Sequence, residues 1–269
     1  MEKELNYAIK ISEEGRPGPV WLDIPLDIQS KKFKSSFIIK KNIKKIEKPI
    51  NIKQLDQIYK EIDKSERPLI LIGNGLHISK SEEKFKTLIK KIQVPILSTW
   101  NASDIISTNN SLYFGRPGLF GNRISNFSIQ SCDLLIILGS RLSIPITGYQ
   151  IKNFSPKSKK IYIDIDQKEI LKRGFKINLP IKSDINFFLK NFNKYLKLKN
   201  RVIKKNWIKK LLDLKKELNE DKNYKKQGKL INSFNFINSL SKILKGNEIV
   251  VTDMGASFTC TMQAFKIKK

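Results

Sequence analysis

The chain is short of several residue types that build common chemistry. Its 269 residues hold one histidine, His77, which leaves no material for a His-rich metal site and reads as a loop residue. There are two cysteines, Cys132 and Cys260, far apart and each beside an apolar run, so no disulfide framework is expected and a reducing, cytoplasmic setting follows. Acidic residues are scarce: 25, against 52 basic ones, for a formal charge of +27. Arginine is scarcer still, at seven of those 52. A nucleic-acid binder draws on Arg for bidentate phosphate and base contacts. The surplus is lysine instead, alongside much Ile and Asn, as an A+T-rich coding bias produces, and no nucleic-acid partner is expected. No run approaches the roughly 18–20 apolar residues of a membrane span. Met1-Glu2-Lys3-Glu4 lacks a signal peptide's apolar core. There is no internal repeat.

What is present is globular: 40% hydrophobic and 9% aromatic residues, long enough for a sizeable core. The most informative stretch runs from Gly115 to Asp166. A Gly/Pro-rich loop (115–121) precedes a short helical pattern with Ile124, Phe127 and Ile129. The apolar run Leu134–Leu138 then ends at Gly139-Ser140-Arg141, and a second apolar strand ends at Asp164-Ile165-Asp166. Apolar runs bounded by turn residues fit strands buried on both faces. Upstream, Leu69–Ile72 ends at Gly73-Asn74-Gly75 and Val94–Leu97 at Ser98-Thr99-Trp100, with helical spacing at Leu55, Ile58, Ile62 and at Phe85, Leu88, Ile92 between them. Asn51 is the expected N-cap of the first helix. Ile181 begins a small fifth strand. The β-α-β alternation predicts a doubly wound parallel α/β domain over residues 51–197.

Partial α/β units flank it. Residues 4–14 predict a helix and Val20–Pro25 a strand. Residues 31–50 read as a Lys-rich linker, and 198–230 as a basic helical connector followed by a polar stretch. Phe234, Ile237, Leu240 and Ile243 predict a helix, and Glu248–Asp253 a strand. Trp21 and Trp207 are expected to pack.

These blocks resemble thiamine-diphosphate-dependent enzymes of the acetolactate synthase type. Gly15-Arg16-Pro17-Gly18-Pro19-Val20-Trp21-Leu22-Asp23-Ile24-Pro25 is similar to the end of their pyrimidine-binding domain (here 1–30). Gly73-Asn74-Gly75, Gly115-x-x-Gly118, Gly139-Ser140-Arg141 and Asp164-Ile165-Asp166 resemble landmarks of the central domain. Asp253-Met254-Gly255-Ala256-Ser257 resembles the start of the diphosphate-binding domain (here 231–269). The resemblance implies a cofactor-borne decarboxylation of a 2-oxo acid and transfer of the two-carbon unit, with thiamine diphosphate and Mg2+ bound between subunits of a homo-oligomer. It also implies FAD, another nucleotide or none in the central domain. Leu142-Ser143-Ile144-Pro145 stands where Asp-Asp-Arg is usual in FAD-binding members, and Gly115-Arg116-Pro117-Gly118 where Gly-Met-His-Gly is usual. An ADP-like ligand is therefore expected to do at least as well as FAD. The family's activating glutamate and its Mg2+ motif have no counterpart here, so the chain is expected to be the middle of a longer protein and inactive alone.

The candidate cofactor-binding residues are Gly73, Gly75, Gly139, Arg141, Asp164, Asp166, Gly255, Ala256 and Ser257. No catalytic or metal-ligating residue is expected in this segment. In open parallel sheets ligands sit beyond the carboxyl ends of strands, which is where the first six fall. Each has a plainer reading beside it. The glycines could merely turn the chain, Arg141 could pair with Asp133 or Asp166, and two carboxylates alone make a poor hard-cation site. Another thiamine-diphosphate decarboxylase or carboligase, or a non-catalytic nucleotide-binding module, remain the other readings.

Overall fold

Four short apolar runs become the body of the sheet because neither of their faces meets water, and a half-exposed edge strand at 179–182 completes it. The computed structural model describes residues 2–32, 50–172, 174–218 and 230–268. The chain divides into two compact units, Met1–Lys48 and Pro49–Lys269.

In the first unit, helix α1 (Glu2–Glu13) carries acidic residues in its first turn and Lys10 in its last, matching the helix dipole. A single helical turn, α2 (Leu26–Gln29), follows. The strand expected at Val20–Pro25 does not form among the described residues: the backbone there has no ladder partner and Trp21 is 89% exposed, so it does not pack as expected. A run of β-formers without a neighbouring strand has nothing to take its N–H and C=O groups. The expected linker lies almost wholly outside the described residues.

The second unit opens with α3 (Ile52–Lys64), capped as expected by Asn51: its side chain accepts from Lys53 N–H (2.9 Å), and Gln54 answers the Asn51 N–H in a capping box. There follow β1 (Pro68–Ile72), a short α4 (Gly75–Ile78), α5 (Glu82–Lys91), β2 (Ile92–Gln93) and β3 (Ile96–Ser98). Then come α6 (Arg123–Ser131), β4 (Leu134–Leu138), α7 (Ile144–Thr147), β5 (Lys159–Asp164), α8 (Gln167–Ile170), β6 (Leu179–Lys182) and α9 (Ile185–Leu196). The main sheet has the order β3-β1-β4-β5-β6, all parallel. Pro180 is tolerated because β6 is an edge strand.

Alternate strand residues feed two separate cores. Ile70, Ile72, Ile136, Leu138, Ile161 and Ile163 join α3, α5 and α9 on one face. Leu69, Leu71, Leu135, Ile137 and Tyr162 join α6 and α8 on the other. This is the doubly wound architecture expected from the continuous apolar runs.

Beyond α9, β7 (Val202–Ile203) pairs with β2 in a two-stranded parallel sheet, which the sequence pattern did not announce. Helix α10 (Lys205–Glu217) buries Trp207 and Leu211 in the second core, so this part of the expected connector contributes to the central unit. The polar stretch after it lies outside the described residues. Helices α11 (Ser233–Ile243) and α12 (Ala256–Ala264) close the chain. The strand expected at Glu248–Asp253 is absent among the described residues: Ile249 and Val251 are 92% and 89% exposed, with no strand alongside.

Candidate functional site

The crevice at the carboxyl edge of the sheet is set by topology. The chain leaves β1 toward β3 on one side, then crosses to β4 on the other, so the switch point lies between β1 and β4. Gly73 and Gly75 end β1 there, and Gly139 ends β4. Their N–H groups are already engaged: Gly73 donates to Leu138 O (2.9 Å), Gly75 to Gly139 O (2.9 Å) and Gly139 to Ile163 O (3.0 Å). A Cβ on Gly73 would fall on the Gly139 carbonyl and the Ser140 backbone; one on Gly75 would lie 2.7 Å from Gly139 Cα. These glycines let two loops touch, and their amides are not presented as a phosphate cradle. Ser140 is 1% exposed and its Oγ has no partner among the described residues.

Arg141 is exposed, and its Nε donates to Glu169 Oε1 (3.0 Å) rather than to either aspartate considered from the sequence. Asp164 is buried and accepts from the Asp166 N–H (3.0 Å). Asp166 caps α8 by accepting from Lys168 N–H (2.9 Å). Arg141, Asp164 and Asp166 therefore cluster about α8, beside the three glycines. Gly255, Ala256 and Ser257 lie elsewhere, at the exposed start of α12. Gly255 has φ +90°, open to glycine, and no side chain caps the first turn of α12, so its N–H groups can face an anion.

Three features escaped the sequence reading. His77 is not a loop residue: it lies in α4, with Nδ1 2.7 Å from Glu82 and Nε2 2.8 Å from Asp104. Burial lowers its proton affinity, but the two carboxylates outweigh that and raise the pKa above 6.5. A folded-state pKa above the unfolded one stabilises the fold below pH 6.5, and that contribution is lost as pH rises through the folded pKa. Thermal melts should therefore show a larger fall in stability from pH 6 upward for the native chain than for His77→Gln. Parallel curves would dismiss the bridge. Second, Arg116 is 5% exposed and its guanidinium donates to Gln263 O and Phe265 O at the end of α12, where the helix dipole is negative. Third, the Trp100 ring contacts Phe120 and, edge-on at 5.0 Å, Phe258 of α12. Together these fasten α12 to the loops after β3. Burial pushes the Cys132 thiol up to about 11, which excludes it as a nucleophile near neutral pH. Among the described residues no cluster of His, Cys, Asp and Glu could hold a metal, and no helix is long and apolar enough to cross a membrane.

The family profile described as "Thiamine pyrophosphate enzyme, central domain" matches residues 55–192. The probable acetolactate synthase large subunit of Methanocaldococcus jannaschii is 31% identical over 97% of this chain and 45% of its own length. The large subunit from Cyanidium caldarium is 30% identical over 98% of this chain and 46% of its own. The isozyme 1 large subunit of Escherichia coli is 27% identical, again over 98% and 46%. The chain spans about half the length of the curated relatives it matches. The profile match covers the whole of the doubly wound sheet, and the chain belongs to the thiamine pyrophosphate enzyme family, whose central domain it carries.

Proposed function

We propose that these residues serve an acetolactate-synthase-type enzyme, which decarboxylates a 2-oxo acid and passes the two-carbon unit to an acceptor. The similarity to acetolactate synthase large subunits over nearly the whole chain carries this reading. Thiamine diphosphate, with Mg2+, supplies the carbanion chemistry when bound. The part assigned to this chain is to hold and to join. Gly255 gives the turn into α12, and the amides of Ala256 and Ser257 receive diphosphate oxygens. Arg116 and Trp100 keep that helix on the central unit. In our reading residues 1–30 close a pyrimidine-binding domain, 31–50 link it to the central domain at 51–197, 198–230 connect onward, and 231–269 open the diphosphate-binding domain. A homo-oligomer and a cytoplasmic location complete the proposal; free Cys132 and Cys260 suit a reducing compartment.

For the central domain we propose an adenine nucleotide, FAD or ADP-like, at the β1–β4 switch point. Asp164 and Asp166 face its ribose and Arg141 its phosphates. Gly73, Gly75 and Gly139 shape the floor without lending their amides. A ligand at a hundredfold excess over its Kd stabilises the fold by about 2.7 kcal/mol, visible as a melting shift. Millimolar ADP should raise the melting temperature at least as much as FAD, and Arg141→Ala should reduce the rise. If neither ligand moves it, the pocket only joins two domains. The reaction is tested separately: the protein carrying these residues in full, given thiamine diphosphate, Mg2+ and pyruvate, should release CO2 and form acetolactate. CO2 release without carbon–carbon bond formation would make it a decarboxylase instead.

A further inference from the structure

Arg116 carries a charge that the fold hides and no acid balances. It is buried, among the described residues no carboxylate pairs with it, and its Nε has no partner. A buried cation without a counter-ion is costly, and what offsets it here is the negative end of a helix. The guanidinium Nη2 donates to Gln263 O (3.4 Å) and Phe265 O (3.2 Å), carbonyls at the close of α12, and Asn122 Nδ2 donates to the same Gln263 O (3.4 Å). The backbone beneath is fixed as well. The Arg116 N–H donates to Asn122 Oδ1 (3.2 Å), and the Arg116 carbonyl accepts from the Asn122 N–H (2.9 Å) and from Ser125 Oγ (2.7 Å).

We propose that Arg116 is a positioning residue for the cofactor's diphosphate. This role rests on the assignment of the α12 amides to the diphosphate, and adds the residue that sets their direction. The hydrogen bonds that join α12 to the central unit gather at its carboxyl end, whereas Gly255, Ala256 and Ser257 are exposed at the other. The first turn touches the central unit through Phe258 on Trp100, an apolar contact with no donor or acceptor to fix its angle. Nine residues of helix span about 13 Å, so a tilt of about 10° at the clamp moves the first turn by about 2 Å. An N–H···O bond, confined to about 2.7–3.2 Å, does not survive that shift. Loss of Arg116 does not release the helix. The Thr108 N–H still donates to Ile267 O (2.9 Å) and the Ile267 N–H to Thr108 Oγ1 (2.8 Å), and Trp100 still holds Phe258. The helix stays attached and loses its aim, so the effect falls on cofactor affinity rather than on folding.

The test uses the protein carrying these residues in full, with Mg2+ present. It reads the Kd for thiamine diphosphate by calorimetry, kcat at saturating cofactor, and the melting temperature without cofactor. Arg116→Met should raise the Kd at least tenfold, with kcat at saturation within threefold of native. Its melting temperature should stay within about 3 °C, since a thioether replaces an uncompensated buried charge. Arg116→Lys, which keeps the charge but not the fork, should raise the Kd about threefold. Arg123→Met removes an exposed positive charge seven positions on and should leave the Kd unchanged. A melting temperature lowered with the Kd unchanged, or an equal loss of affinity in Arg123→Met, would overturn the proposal while leaving the proposed function intact. If Arg116→Met does not fold, Arg116→Lys decides, and an unchanged Kd there sinks the idea. A native protein that binds no thiamine diphosphate overturns the function itself, and this role with it.

Discussion

Gly73→Ala should lower the melting temperature of the 49–269 unit by about 6–12 °C, from a cost of about 3 kcal/mol in a body of this size. The new methyl group meets the Gly139 carbonyl and Ser140 backbone, which cannot swing aside as a flexible side chain would. Either β1 and β4 part at their carboxyl ends, losing the Gly73 N–H bond to Leu138 O, or the Gly139 turn is rebuilt. Gly139→Ala should behave alike, since its φ of +56° adds strain to a 2.8 Å approach on Gly75 Cα. Gly148→Ala separates the two causes. It shares the positive φ, at +75° with ψ 176°, but its nearest neighbour is Leu119 Cδ2 at 3.9 Å, so its cost, about 1–3 kcal/mol, is backbone strain without a clash. If Gly73→Ala melts within 2 °C of the native chain, the two loops do not touch as described.

Phe192→Ala is the other large effect expected, at about 3–5 kcal/mol. Phe192 is buried on α9 and stacks on Phe188 at 5.4 Å and Tyr195 at 6.3 Å, filling the core between α9 and the sheet. Truncation leaves a cavity that the two neighbouring rings and a β-sheet cannot close. Phe120→Ala, half-exposed in a loop, should cost under 1 kcal/mol by comparison. Chemical denaturation of both variants decides it: equal midpoints would mean that α9 is not held by its aromatic face.

The strands of the central unit were legible because burial on both faces leaves an unbroken apolar run. Pro68–Ile72 and Leu134–Leu138 have no polar residue to confuse the reading. Val20–Pro25 and Glu248–Asp253 look as strand-like, yet a strand exists only beside a partner, which composition cannot supply. The site was half legible. Glycine at a strand end marks a tight turn, but whether a ligand or another backbone occupies the missing side chain's place depends on residues some 65 positions away. Arg141 found Glu169, and Asp166 found the next turn's amide, through folds of loops that no spacing rule encodes. Arg116 and His77 were given no role because a single basic residue carries no pattern; only the packed neighbours supply one.

The interior position of β1, between β3 and β4, has a consequence for synthesis. Its register with β4 runs Pro68↔Leu134 to Ile72↔Leu138, so its second neighbour is made 66 residues after it. At about 5–20 residues per second, β1 waits roughly 3–13 s on the ribosome with one edge open. β3 covers only its other side, and with three residue pairs. A nascent chain in that interval offers five consecutive apolar residues and a free edge to any neighbour, and is the state most exposed to aggregation.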